Sequence, residues 1–137
     1  MADACLFCRI IAGEVVGSFV FEDDEVVGFL DYRPVFKGHT LVVPREHHVT
    51  LADLPAALLT TVFTAAQQLS AVMPEALGAQ GTFVAMNNVV SQSVAHVHVH
   101  VVPRTKGDGL RGFFWPRTKY ADDTEMRTYA KTLGAAY

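Results

Sequence analysis

The sequence predicts an α+β fold: a mostly antiparallel five-stranded sheet with one long helix and short helices toward the N- and C-terminal ends. Three observations predict it. Short apolar segments are bounded by turn residues, one segment carries apolar residues at helical spacing, and His96 to Val102 alternates histidine with valine. Short strands grouped around one long helix indicate α+β architecture. At 137 residues and 50% hydrophobic content, the chain reads as one domain spanning 1–137.

Each element has its own signal. "CLFCRIIAG" can form a short helix stopped by Gly13. "SFVFED" and "EVVGFLD" read as strands joined by a turn at Asp23–Asp24, and "HTLVVP" as a third strand closed by Pro44. "DLPAALLTTVFTAAQQLSAVM" places Leu58, Leu59, Val62, Phe63, Ala66 and Leu69 at helical spacing. Val62, Phe63, Ala66 and Leu69 are expected to face the sheet, with Leu59, Ala65 and Val72 at the flanks. Asp53 suits the N-cap of this helix and Pro55 its first turn. "TFVAMN" is the fourth strand and "HVHVHVV" the fifth, while "DDTEMRTYAKTL" has a capping-box pattern from Asp122 to Glu125.

Composition narrows the function classes. A net charge of −3 argues against a nucleic-acid-coating surface, which needs clustered Lys and Arg. No uninterrupted apolar run approaches the ~20 residues of a membrane span, so no membrane partner is expected. The start, "MADACLFCRIIAGE", lacks a basic segment followed by an apolar stretch, so a cytoplasmic location is the expectation. In that setting Cys5 and Cys8 are not expected to form a structural disulfide.

The chemistry concentrates in histidines. On a strand, His96, His98 and His100 share one face, roughly 6–7 Å apart at ~3.3 Å rise per residue, and the valines share the other. A single histidine on a strand is usually a satisfied core or surface residue. Three aligned on one face each need a partner for a donor and an acceptor, which marks a site. Cys5-Leu-Phe-Cys8 is half a metal site, a redox pair or inert packing. Structural zinc would need two further ligands, and the spacing of His39, His47, His48, His96, His98 and His100 does not choose among them. Asp31 at a strand end can bind sugar hydroxyls or cap a turn. Gln92 and Ser93 before the histidine row can bind an anion or finish a loop.

Together, "LFCRIIAGE", "FEDDEVVGFLD", "GHTLVVPREH" and "QSVAHVHVHVVPR" resemble the histidine-triad family of nucleotide hydrolases and transferases, from Cys5 to about Arg104. Cys5-x-x-Cys8 makes the chain similar to the zinc-bearing bacterial-type branch. The resemblance implies that His98 is the nucleophile, attacking an α-phosphorus to form a covalent nucleotidyl intermediate. His100 and His39 match groups that orient it or hold phosphate oxygens, and Ser93 matches a group near the leaving group. Asp31 matches the acid that holds ribose hydroxyls, Gln92 the residue before that serine, and Ile10, Phe29 and Tyr32 the base-pocket positions. Asn87 matches the family asparagine by strand register, with Asn88 the alternative. The same resemblance implies structural zinc on Cys5, Cys8, His47 and His96, with His48 one residue off the ligand position. It also implies a homodimer and a purine nucleotide or nucleoside phosphoramidate as substrate.

The physical chemistry is consistent with those roles. A neutral imidazole attacks phosphorus when its other nitrogen is fixed by an acceptor, and a protonated neighbouring histidine would stabilise the oxygens. The segment "MNNVVSQSV" is shorter than the family's and lacks its glycine. The loop around Trp115 either reaches an active site, including that of a dimer partner, or packs Phe113 and Phe114 on the surface. A nucleotide-binding or partner-binding regulatory module with little turnover is the alternative function. A thiol redox protein is a third, which the histidine row does not support.

Overall fold

The computed structural model describes residues 4–111 and 117–137. Trp115, with Phe113 and Phe114, lies outside the described residues. In chain order the elements are α1 (Leu6–Ile11), β1 (Phe19–Glu22), β2 (Val26–Leu30), β3 (Thr40–Pro44), a short 3-10 turn (Leu51–Asp53), α2 (Ala56–Leu77), β4 (Gly81–Ala85), β5 (Val99–Arg104) and α3 (Asp123–Ala136). The five strands form one sheet in the order β1-β2-β3-β5-β4, and every neighbouring pair is antiparallel. The architecture is the α+β class expected.

Strand alternation builds two cores from one sheet. Val26, Val42, Val99 and Val101 point to one face, where Leu58, Val62, Ala66, Leu69 and Met73 of α2 cover them. Val27, Phe29, Leu41 and Val43 point to the other, where Cys5, Phe7 and Ile10 pack. Each fully buried Val or Leu contributes about 1.5–3 kcal/mol by leaving water, so the valine rows dominate the sheet's stability. By length and composition α2 could also cross a membrane, a test that the core helix of a soluble protein passes too. Its buried residues form the seam against the sheet.

Three expectations are corrected. Phe63 is 39% exposed: the seam runs through Leu58, Val62, Ala66, Leu69 and Met73, and Phe63 stands about 100° around the helix from Val62. Asp53 does not cap α2, because its carboxylate accepts from the Thr50 N–H and hydroxyl at 2.8 Å each, and Pro55 itself is the N-cap. The fifth strand pairs only from Val99, where Val99 faces Val42. Upstream, the Val97 N–H is drawn at 2.7 Å to the carbonyl of His48 in the loop after β3, so residues 96–98 lie outside the ladder.

The two ends of the chain behave differently. The Cys5 thiol caps α1, and Gly13 at φ +79° follows its end. Asp122 caps α3 by accepting from the Glu125 N–H at 2.8 Å, while the Glu125 carboxylate accepts from the Ala121 N–H at 3.1 Å. No residue of α3 is buried. Between β4 and β5, Val89 and Ser91 adopt φ of +67° and +60°. These left-handed conformations stand where the family resemblance leads one to expect glycine.

Candidate active site and metal centre

The α1 face of the sheet carries two adjoining clusters, and His96 belongs to the first. Its Nδ1 lies 3.4 Å from Cys5 Sγ, 3.5 Å from Cys8 Sγ and 3.2 Å from His47 Nδ1, and Cys8 Sγ lies 3.4 Å from His47 Nδ1. Tetrahedral zinc with bonds of ~2.0–2.3 Å separates its ligands by roughly 3.3–3.8 Å, so these four donors fit a closed Cys₂His₂ site. The His96 Nε2–H donates to the Pro44 carbonyl at 2.8 Å, which leaves Nδ1 bare for a metal. Burial lowers the His96 pKa to about 4, keeping the ring in its neutral, ligating form. His48 stands apart, with Nε2 3.2 Å from a Glu46 carboxylate oxygen.

Two residues further on, His98 is 3% exposed and its Nδ1 lies 2.7 Å from the carbonyl oxygen of His96. A carbonyl only accepts, so Nδ1 carries the proton and Nε2 keeps a bare lone pair. Phe7 of α1 meets this ring edge-on, with centroids 5.0 Å apart, and the His100 ring is also 5.0 Å away. The His98 and His100 rings therefore lean together more closely than strand spacing alone would set.

His39 completes the second cluster from the start of β3. Its Nε2 lies 2.9 Å from His100 Nδ1 and 3.6 Å from Asp31 Oδ2, and its Nδ1 accepts from the Val35 N–H at 3.1 Å. The register brings these groups together: Leu41 pairs with His100, and His39 and Leu41 share a face, as do Phe29 and Asp31. Burial lowers the pKa of His39 and His98 and pushes His100 down to about 4. Burial thus holds all three rings toward their neutral form, which favours neutral N–H donors over the protonated neighbour expected from sequence. His39, His100 and Asp31 also offer donor atoms within 4.8 Å of one another, a spacing that a cation could use.

The remaining candidates are distributed around this centre. Asp31 Oδ1 accepts from the Arg33 N–H at 2.8 Å, closing a turn that leaves Tyr32 95% exposed. Ile10 and Phe29 are buried in the core beneath α1. Gln92 braces its loop: Oε1 accepts from the Val89 N–H at 2.9 Å, and Nε2 donates to the Val49 carbonyl at 2.6 Å. Asn87 donates to the Ser91 carbonyl at 3.2 Å, while Asn88 accepts from the Leu51 N–H at 2.7 Å. Ser93 is exposed and lines a recess of about 450 Å³ with Cys5 and His47. Sequence reasoning missed Phe7, although its place between the two cysteines on a short helix was the available signal. It also missed the carbonyls of Pro44 and His96 and the amide of Val35, for which side-chain patterns carry no signal.

The neutral buried rings set an acid limit. His100 has its folded pKa near 4, below the ~6.5 of an unfolded histidine, so folding favours its uncharged form. That contribution is full above pH 6.5 and is lost as pH falls toward 4. Melting temperature should fall across this window, above the range where most carboxylates titrate, and His100→Asn should make the fall shallower. An identical pH slope in the variant would contradict the assignment.

Comparison with known proteins places this geometry. The HIT domain family model matches residues 12–107. An uncharacterised HIT-like protein of Methanocaldococcus jannaschii is 41% identical over 107 residues, covering 77% of this chain and 82% of the relative. A protein of Arabidopsis thaliana named as an adenylylsulfatase is 32% identical over 108 residues, covering 77% of this chain and 55% of the relative. One of Candida albicans named as an adenosine 5′-monophosphoramidase is 30% identical over 122 residues, covering 82% and 78%. The crystal structure of a HIT family protein from Bacillus anthracis superposes with a TM-score of 0.88 at 30% identity, covering 100% of this chain and 99% of that one. A zinc-bound histidine-triad protein of Mycobacterium smegmatis superposes at 0.77 with 32% identity, covering 100% of both chains. Matched in sequence over its sheet and in fold over nearly its whole length, the chain belongs to the HIT family.

Proposed function

We propose that this chain hydrolyses nucleoside 5′-phosphate derivatives at the α-phosphorus, with purine nucleoside phosphoramidates as the preferred class, in the cytoplasm. The observation that carries this reading is the His98 ring, with Nδ1 bonded to the His96 carbonyl and Nε2 left with a free lone pair. In the first step Nε2 bonds to phosphorus and the bond to the leaving group breaks, the leaving amine taking a proton from water that is returned when water attacks in the second step. In the second, water attacks the phosphoimidazole, releasing the nucleoside monophosphate and restoring His98. His100 would hold a non-bridging oxygen through its Nε2–H while His39 orients that ring, and Asp31 would hold ribose hydroxyls. The activity names of the Arabidopsis and Candida relatives support this substrate class.

His98→Ala should abolish turnover of adenosine phosphoramidate while nucleotide binding persists, because it removes the nucleophile and little of the ribose contact. The expected loss exceeds about 10³-fold, or ~4 kcal/mol of barrier. A variant retaining a tenth of wild-type turnover would sink the assignment. Wild-type protein that binds without turnover would favour the regulatory module instead.

The metal reading is one structural zinc per chain on Cys5, Cys8, His47 and His96, supported by their convergence and by the zinc-bound neighbour. Bound there, zinc would tie α1 to the loop after β3, and its four protein ligands leave no open position for water. Elemental analysis of protein purified without added metal should find about one zinc per chain. Cys8→Ser should lower the melting temperature more than it lowers activity in the folded fraction. If chelation stops catalysis at once with the fold intact, the structural role is wrong.

The chain also suits a homodimer. Phe63, Val72 and Leu77 of α2 and Val84 of edge strand β4 are each about 40–50% exposed, and Met126, Tyr129 and Leu133 of α3 are more than 45% exposed. Apolar surface of this kind beside edge strand β4 would be closed by a two-fold contact. Within the chain α3 buries none of its residues, so it does not supply that cover. Light scattering at micromolar concentration should give about twice the 15.0 kDa chain mass, and a value near the chain mass would refute the dimer.

A further inference from the structure

We propose that the backbone N–H of Val35 is a positioning group for the site: by donating to His39 Nδ1 it fixes the ring protons of both His39 and His100. The catalytic meaning of this inference rests on the hydrolase reading above, whereas the proton placement itself does not.

The argument is one of donors and acceptors. An amide N–H cannot accept, so His39 Nδ1, 3.1 Å away, must be the bare nitrogen, and the neutral ring carries its proton on Nε2. That proton faces His100 Nδ1 at 2.9 Å, closer than the Asp31 carboxylate at 3.6 Å. His100 Nδ1 therefore accepts, and His100 holds its own proton on Nε2. The opposite arrangement would set an N–H of His39 against the N–H of Val35 in a site that is 3% exposed at His39.

The loop holding Val35 is tied at its neck. Asp31 N–H donates to the His39 carbonyl at 2.9 Å, and His39 N–H donates to the Phe36 carbonyl at 3.0 Å. The Asp31 carboxylate bridges back to the Arg33 N–H, and Pro34 restricts both its own φ and the conformation of Arg33. Gly38 at φ +100° makes the bend into β3, where a Cβ would lie 2.6 Å from Leu77 Cδ1. The Val35 amide is thus delivered by a closed loop whose two ends carry Asp31 and His39.

Two consequences follow from the same proton. His98 and His100, with rings 5.0 Å apart, hold opposite tautomers: His98 offers a lone pair from Nε2 and His100 a proton from Nε2. A nucleophile thereby stands beside a donor for the oxygens it displaces charge onto. A protonated His39 Nε2 also offers no lone pair, so in this tautomer His39 does not serve as a ligand in the Asp31–His39–His100 trio.

Long-range ¹H–¹⁵N correlation on the purified, ¹⁵N-labelled full chain at pH 7.5 reads which ring nitrogen is protonated. The expected result is Nε2–H for His39 and His100 and Nδ1–H for His98. Protonation of His39 at Nδ1, or an averaged mixture of its tautomers, would overturn the proposal. Val35→Pro removes the N–H and should mix the His39 tautomers and lower adenosine phosphoramidate turnover about tenfold or more, with melting temperature and metal content kept. Val35→Ala keeps the N–H and should match wild type in every readout. A folded Val35→Pro protein with the wild-type His39 tautomer would refute the idea, and should that variant fail to fold, the wild-type spectrum decides alone. If wild-type protein shows no turnover, the hydrolase reading fails while the tautomers still test this inference.

Discussion

His96 is the residue through which both halves of the site are built, and it uses three separate groups to do so. Its Nε2–H is taken by the Pro44 carbonyl, its Nδ1 meets two thiols and a second imidazole, and its own carbonyl receives the His98 Nδ1–H. These bonds require residues 96–98 to leave the sheet ladder, which is why pairing begins at Val99. The Cys–His cluster and the His98 ring are thus both anchored on His96. The α1 helix joins them from above, because Phe7 contacts both the His96 and the His98 rings.

Electrostatically the site runs on neutral groups. Burial outweighs the Asp31 carboxylate in setting the state of His39, and pushes His100 further down. Uncharged imidazoles cost less to bury than imidazolium ions. The protein therefore presents oriented N–H dipoles whose directions were fixed during folding, so little reorganisation is needed when charge develops.

Much of this was legible in the sequence because side-chain period maps directly onto a sheet. Val99 and Val101 join the core under α2 while the rings of His96 and His98 meet Phe7 of α1, as alternation requires, and Cys5 and Cys8 do meet His47 and His96. Phe63 was misplaced because apolar spacing alone does not choose among adjacent stripes on a helix with a wide apolar arc. Asp53 was misassigned since a nearer partner, Thr50, competes for its carboxylate. The backbone groups that set the ring protons leave no mark in residue identity. They depend on where loops close, and long-range closure is what local patterns do not encode.

The loop between β4 and the histidine row has a consequence for how this protein can change. Val89 and Ser91 occupy left-handed backbone conformations that cost non-glycine residues of order 1–3 kcal/mol each, and for a β-branched valine the cost is high in that range. Gln92 and Asn88 hold the loop in that shape through bonds to Val89, Val49 and Leu51. Neither Val89 nor Ser91 is buried, so glycine at either position would relieve strain without opening a cavity. The molecule therefore keeps a reserve of stability within one or two substitutions, close to the site yet outside its chemistry. A lineage that needed to tolerate a destabilising change elsewhere has that margin at hand.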